Sequence, residues 1–107
     1  MNLGKYTGRP YTGERYCRVL VADVLADCGI AFPATDDPGE AAGWERVEWP
    51  GEGDVVVFNI AGRPGHVGVC DGRGGFLHCE EGRSSVIERL SSPLWGSRIE
   101  GYYRCMR

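Results

Sequence analysis

Between Glu14 and Cys28 the apolar residues recur with the period of an α-helix. Cys17, Leu20, Val21, Val24, Leu25 and Cys28 fall at i, i+3, i+4, i+7, i+8 and i+11, so they share one face. Gly29 is placed to cap the C-terminal end, and Pro33 blocks continuation. A helix with one apolar stripe must cover a second layer, and the rest of the chain says which kind. From Asp54 onward the pattern changes to short β-branched and apolar runs divided by glycine-rich turns. Val55 to Ile60, His66 to Cys70 and Phe76 to Cys79 read as strands, with turns at 61–65 and 71–75. Ser85 to Leu90 and Ile99 to Arg104 complete a meander of about five strands. Between the last two, Ser92-Pro93-Leu94-Trp95 is suited to a single helical turn with proline at its first position. Helix first and antiparallel sheet second is an α+β arrangement, the helix packing its stripe on one sheet face.

The remaining segments are less regular. Residues 1–13 read as an extended lead-in. Residues 33–53 hold three of the six prolines and two of the three tryptophans, and read as a connecting loop with a short helical turn near Pro38 to Trp44. At 107 residues the chain suits one domain, 1–107, with a lean core. Glycine at 17 residues fits many turns and argues against a helical bundle.

Charge excludes several function classes. The net charge is −3, and the twelve Lys and Arg are scattered without a basic run, which argues against nucleic acid and anionic lipid as partners. No apolar stretch approaches the roughly 20 residues of a membrane span, and the N-terminal residues lack the apolar run of a secretory signal. Synthesis and folding in a cytoplasm are therefore expected. Five cysteines at irregular spacings, with no Cys-x-x-Cys, do not suit a disulfide framework, and most of them suit small buried hydrophobes.

Cys17 is different from the other four. It lies in the first turn of the expected helix, where unpaired N–H groups and the helix dipole favour a thiolate. Cys28 shares the stripe but sits at the end where the dipole disfavours an anion. The two histidines, His66 and His78, fall on strands flanking one turn. A hairpin symmetric about Gly72 would set them opposite each other on one face. A thiol with a free pKa of about 8.5 is mostly protonated at neutral pH. A neighbouring imidazole can take its proton, and a third polar group can orient that ring. Cys17, His66 and His78 fill those roles in chain order. A metal site from Cys70, His78, Cys79 and His66 is disfavoured, because the spacings match no common zinc pattern and adjacent strand residues point to opposite faces. No cofactor is expected.

These residues resemble the NlpC/P60 family of papain-like cysteine peptidases. Pro10-Tyr11-Thr12-Gly13 ahead of Cys17, with a hydrophobic helix ending Gly29-Ile30-Ala31-Phe32-Pro33, is similar to that family's nucleophile helix. Its central block is similar to Pro50-Gly51-Glu52-Gly53-Asp54-Val55-Val56-Val57-Phe58, then His66-Val67-Gly68-Val69, then Phe76-Leu77-His78. The segments Ile87 to Trp95 and Arg98 to Arg104 look most like the branch carried by tailed phages and related particles. The resemblance implies a papain-like fold and a cysteine endopeptidase with a Cys17–His66–His78 triad. Its substrate would be the stem peptide of bacterial peptidoglycan, and its partners other phage tail proteins. It also implies that Tyr11 shapes the pocket or donates to the tetrahedral oxyanion, with the Cys17 backbone N–H as the other donor. The family's usual Asp before the nucleophile and small residue or Trp, then Gly, after it are replaced by Tyr16, Arg18 and Val19. Arg18 adds a cation that would lower the Cys17 pKa or bind a substrate carboxylate; the competing reading is a solvent-facing helix residue. These substitutions also keep open a second reading, a catalytically weak or inactive structural module of a phage tail tip.

Overall fold

The computed structural model describes residues 1–106. Helix α1 runs Tyr16–Asp27, and the strands are β1 Trp44–Val47, β2 Val55–Ile60, β3 Arg63–Cys70, β4 Gly75–His78, β5 Val86–Arg89 and β6 Ile99–Cys105. A short helix, α2, occupies Pro93–Gly96, and 3-10 turns lie at Leu3–Tyr6 and Pro38–Glu40. The strands form one antiparallel sheet of six in the order β1-β6-β2-β3-β4-β5. The α+β arrangement expected from the sequence is therefore the observed one, with one strand more than anticipated.

That extra strand is β1, inside the stretch read as a loop. It lies at the sheet edge and, among the described residues, pairs only with β6. Only Trp44 of its four residues is buried, so it carries little of the apolar alternation that marks a strand in sequence.

Helix α1 forms where the stripe predicts from Cys17 to Leu25, but Cys28, expected on the same apolar face, is the C-cap and is exposed. Leu20, Val21, Val24 and Leu25 are fully buried, each worth roughly 1.5–3 kcal/mol by apolar burial. At its end Ile30 N–H bonds the Leu25 carbonyl and Gly29 N–H the Ala26 carbonyl, both at 2.9 Å. Gly29 has φ of 76°, so this is the glycine cap the sequence suggested.

The sheet separates two apolar layers. Val55, Val57, Val67, Val69, Leu77 and Cys79 pack under α1. Val56, Phe58, Cys70 and Phe76 face the other way, where Leu90 and Trp95 cover them. Period-two alternation along β2, β3 and β4 thus assigns residues to faces, and His66 and His78 share the parity of the α2 side. The β3–β4 hairpin pairs Val69 with Leu77 and Cys70 with Phe76. It is centred on Arg73 instead of Gly72. Asp71 explains the offset: its Oδ1 accepts from the N–H groups of Arg73 (2.7 Å) and Gly75 (2.9 Å), closing a five-residue loop. Continued by one pair, this register sets His78 against Gly68, so the two histidines are diagonal neighbours and not directly opposed. The shift is even, so both stay on one face.

Candidate active site

Arg15, directly before α1, has φ of 53°, the left-handed region that non-glycine residues rarely occupy. This turn delivers the chain into the helix so that Cys17 is its second residue, buried to 5% exposure. Its backbone N–H is among those a helix start leaves without an intrahelical partner. The sulfur, however, is not tuned as its position suggests. Burial pushes the Cys17 pKa up, and backbone hydrogen bonds from Val67 and Arg18 with the charges of Arg15 and Arg18 pull it back less strongly. Desolvation outweighs the helix terminus, so the resting group is a neutral thiol.

The two imidazoles are joined. His66 Nε2 lies 2.8 Å from His78 Nδ1, with the rings edge to face at 5.0 Å. Burial, and secondarily His78, lowers the His66 pKa from 6.5 to about 4. His78 is fully buried and also lowered by burial, with Glu88 opposing. Both rings are therefore neutral near pH 7. The buried environment is aromatic: the Trp95 ring stacks on His66 at 5.0 Å and 23°, and Phe58 and Phe76 complete the enclosure. Gly68 makes the layout possible. A Cβ there would stand 2.8 Å from the Leu77 carbonyl oxygen and 2.9 Å from Phe76 Cδ2.

Cys17 and His66 line the same cleft of about 280 Å³, together with Tyr11, Glu80, Trp95 and Arg98. They are not hydrogen-bonded to each other, and His66 Nδ1 is the ring nitrogen without a bond among the described residues. Such looseness is ordinary in a site without substrate. Tyr11 sits edge-on to Tyr16 at 5.8 Å, on the cleft wall. Arg18 is not a solvent-facing residue. Its side chain is 13% exposed, its guanidinium lies 4.5 Å over the Phe32 ring, it donates to the Pro33 carbonyl, and it stands 3.9 Å from Asp36. It also borders a small cavity shared with Cys17 and His66.

Two residues of this constellation escaped the sequence reading. Glu88 on β5 accepts from His78 Nε2, and Trp95 covers His66. The β4–β5 register pairs Phe76 with Glu88 and His78 with Val86, so Glu88 is His78's diagonal neighbour. Its signal in sequence was a lone acid in a predicted strand, which is ordinarily a solvated residue. One ring nitrogen of His78 and one oxygen each of Glu80 and Glu88 lie within 4.8 Å of one another. Both His78 nitrogens are already bonded, Nδ1 to His66 and Nε2 to Glu88, and we assign the cluster no ion. Cys79 packs on the opposite sheet face, beneath α1, so a site joining it to both histidines is excluded.

The whole of this architecture has relatives. The family model described as the NlpC/P60 family matches residues 5–104. The peptidoglycan DL-endopeptidase CwlO of Bacillus licheniformis is 35% identical over 52 residues, which is 49% of this chain and 12% of that protein. Among solved structures, a protein of Staphylococcus aureus subsp. aureus Mu50, described as similar to lipoprotein, NLP/P60 family, matches with a TM-score of 0.77 at 21% identity. That match covers 96% of this chain and 38% of the other. The NlpC/p60 domain of the peptidoglycan hydrolase SagA matches with a TM-score of 0.69 at 24% identity, covering 94% and 91%. The chain thus corresponds to a minor part of the first two proteins and nearly all of the SagA domain. At these identities the structural likeness speaks for the fold.

Proposed function

The chain belongs to the NlpC/P60 family, and from that membership we propose that it is a cysteine endopeptidase hydrolysing peptide bonds in the stem peptides of bacterial peptidoglycan. The observation that carries the proposal is the His66–His78 bond beside a cysteine at a helix start. In the mechanism, Cys17 Sγ attacks the scissile carbonyl carbon as His66 takes the thiol proton. His66 then returns that proton to the leaving amine, and water releases the acyl group in a second step. His78 orients His66 and supports the imidazolium. The Cys17 backbone N–H and the Tyr11 hydroxyl serve the tetrahedral oxyanion, and Arg18 receives a substrate carboxylate. Because thiol and imidazole are both neutral at rest, proton transfer accompanies attack and no standing ion pair is needed.

The setting we propose is a phage or phage-like tail, with other tail proteins as partners. Its support is the likeness of the Ile87 to Trp95 and Arg98 to Arg104 segments to that branch. A second reading, an inactive structural module, is favoured by the raised Cys17 pKa and the atypical Tyr16, Arg18 and Val19. Purified peptidoglycan digested with wild type and Cys17→Ala, the released fragments identified by mass spectrometry, separates the two. Fragments from wild type alone are expected. No fragments from either, with a thiol inert to iodoacetamide near neutral pH, would leave the structural module.

A further inference from the structure

We infer that Glu88 is a positioning residue for the Cys17–His66 pair, acting through His78 to fix which nitrogen of each ring carries its proton. The inference rests on the reading of Cys17 as nucleophile and His66 as base, and it gives a role to a carboxylate that reading leaves unused.

The chain of assignments follows from donor and acceptor chemistry. An ionised carboxylate only accepts hydrogen bonds. His78 Nε2, bonded to Glu88, must then carry the hydrogen. A neutral ring with its proton at Nε2 has its lone pair at Nδ1, and that atom is the one 2.8 Å from His66 Nε2. His66 must therefore donate from Nε2, which leaves its lone pair at Nδ1. Nδ1 is the nitrogen with no partner among the described residues, and it is the one left to take the Cys17 proton. Reversing either ring would set lone pair against lone pair at one of the two contacts. One carboxylate thus determines the basic atom two residues away.

The same chain acts during transfer. When the Cys17 S–H proton passes to His66 Nδ1, the products are a thiolate and an imidazolium. The imidazolium's positive charge is shared through its Nε2–H with His78, whose own N–H points at the negative Glu88. No proton has to reach Glu88. Geometry supports the role, because both links are diagonal steps across adjacent strands, where only long or aromatic side chains can meet. Glu88 itself is 34% exposed and lines a cavity of about 610 Å³ with Arg83, Ser84, Val86 and Leu94. The Cys17 cleft is a different one. The two cavities adjoin at Glu80, which lines both, and Glu88 is not among the residues lining the Cys17 cleft.

The test uses the full chain, labelled with 15N at histidine, as wild type, Glu88→Gln and Glu88→Ala. Ring-nitrogen shifts from long-range 1H–15N spectra near neutral pH identify the tautomers. Wild type is expected to show Nε2–H in both rings, and Glu88→Ala a mixture at His78 and His66. For hydrolysis of a soluble muropeptide, Glu88→Gln is expected to lower kcat at least about tenfold with KM nearly unchanged. If Ala disrupts folding, the isosteric Gln variant decides through kcat, because its amide oxygen can still accept from His78 Nε2–H but carries no charge. Unchanged tautomers and unchanged kcat in both variants, or a wild type with Nδ1–H at either ring, would overturn the inference. Hydrolysis surviving Cys17→Ala would instead remove the underlying assignment of the site. The spectra need no turnover, so they also decide if the wild type proves inactive.

Discussion

Acidification should destabilise the protein through His66 more than through any ordinary histidine. The ring is 8% exposed and lies against Trp95, and its folded pKa is about 4 against an unfolded value of 6.5. Between those values the unfolded chain binds a proton at this position that the folded chain refuses. Stability is therefore fully present above pH 6.5 and is lost as pH falls through the window toward 4. At about 1.4 kcal/mol for each pH unit separating the two values, His66 alone withdraws about 3 kcal/mol. The groups around the ring are His78 from β4, Cys17 and Arg15 from the α1 side, and Glu80, Glu81 and Arg98 on the cleft wall. Most of them survive in a His66→Gln variant, so subtracting the two stability curves isolates the ring. Urea unfolding should be followed by far-UV circular dichroism at a series of pH values, since protonation beside Trp95 would alter fluorescence directly. Wild type should lose about 3 kcal/mol more than the variant between pH 6.5 and about 4. Parallel curves would refute the claim that burial holds this imidazole neutral.

Two further substitutions probe the frame around the site. Trp95→Ala removes a side chain only 2% exposed and should cost about 3–5 kcal/mol as a cavity. An NMR titration of the same variant should find the His66 pKa moved back up toward 6.5, and no movement would mean Trp95 is not what keeps water away. Gly68→Ala puts a methyl 2.8 Å from the Leu77 carbonyl, which cannot yield without disturbing β4. Overpacking of about 1–3 kcal/mol is expected, seen as a lowered melting temperature, with hydrolysis reduced further because His78 shifts. A variant with unchanged melting and activity would show that β4 has slack there.

How much of this was legible in sequence depends on how local each signal is. The α1 stripe from Cys17 to Leu25 and the Gly29 cap are set by neighbours within a few turns and formed where expected; Cys28, at the helix end, is exposed instead. The His66–His78 association survived an incorrect register. A hairpin shifted by an even count keeps its faces, and the identity of the face mattered more than the partner. What failed was Asp71, whose side-chain bonds recentre the turn without altering its glycine-rich look. Edge strand β1 escaped because pairing on one side, with little burial, leaves the composition of a loop. Glu88 and Trp95 escaped for a stronger reason. Their roles exist only once β5 and α2 are placed in space, and no spacing rule predicts that. The ionisation of Cys17 turned on desolvation, and the helix-start argument contains no measure of it.

The strand order has a consequence for how the molecule assembles. Strand β6 follows every other strand in the chain, yet lies between β1 and β2. Helix α1 and strands β2 to β5 can associate through hairpins as they leave the ribosome. One edge of β2 must wait for β6, whose Tyr103 pairs with Val55 from far along the chain. Until then the run Val55-Val56-Val57-Phe58 presents open N–H and C=O groups beside an apolar surface. That is the composition of an intermolecular β-pairing site. Long-range closure of this kind is slow relative to local hairpins. The interval before β6 inserts is thus when the chain is most exposed to aggregation, and crowded synthesis is the condition that would reveal it.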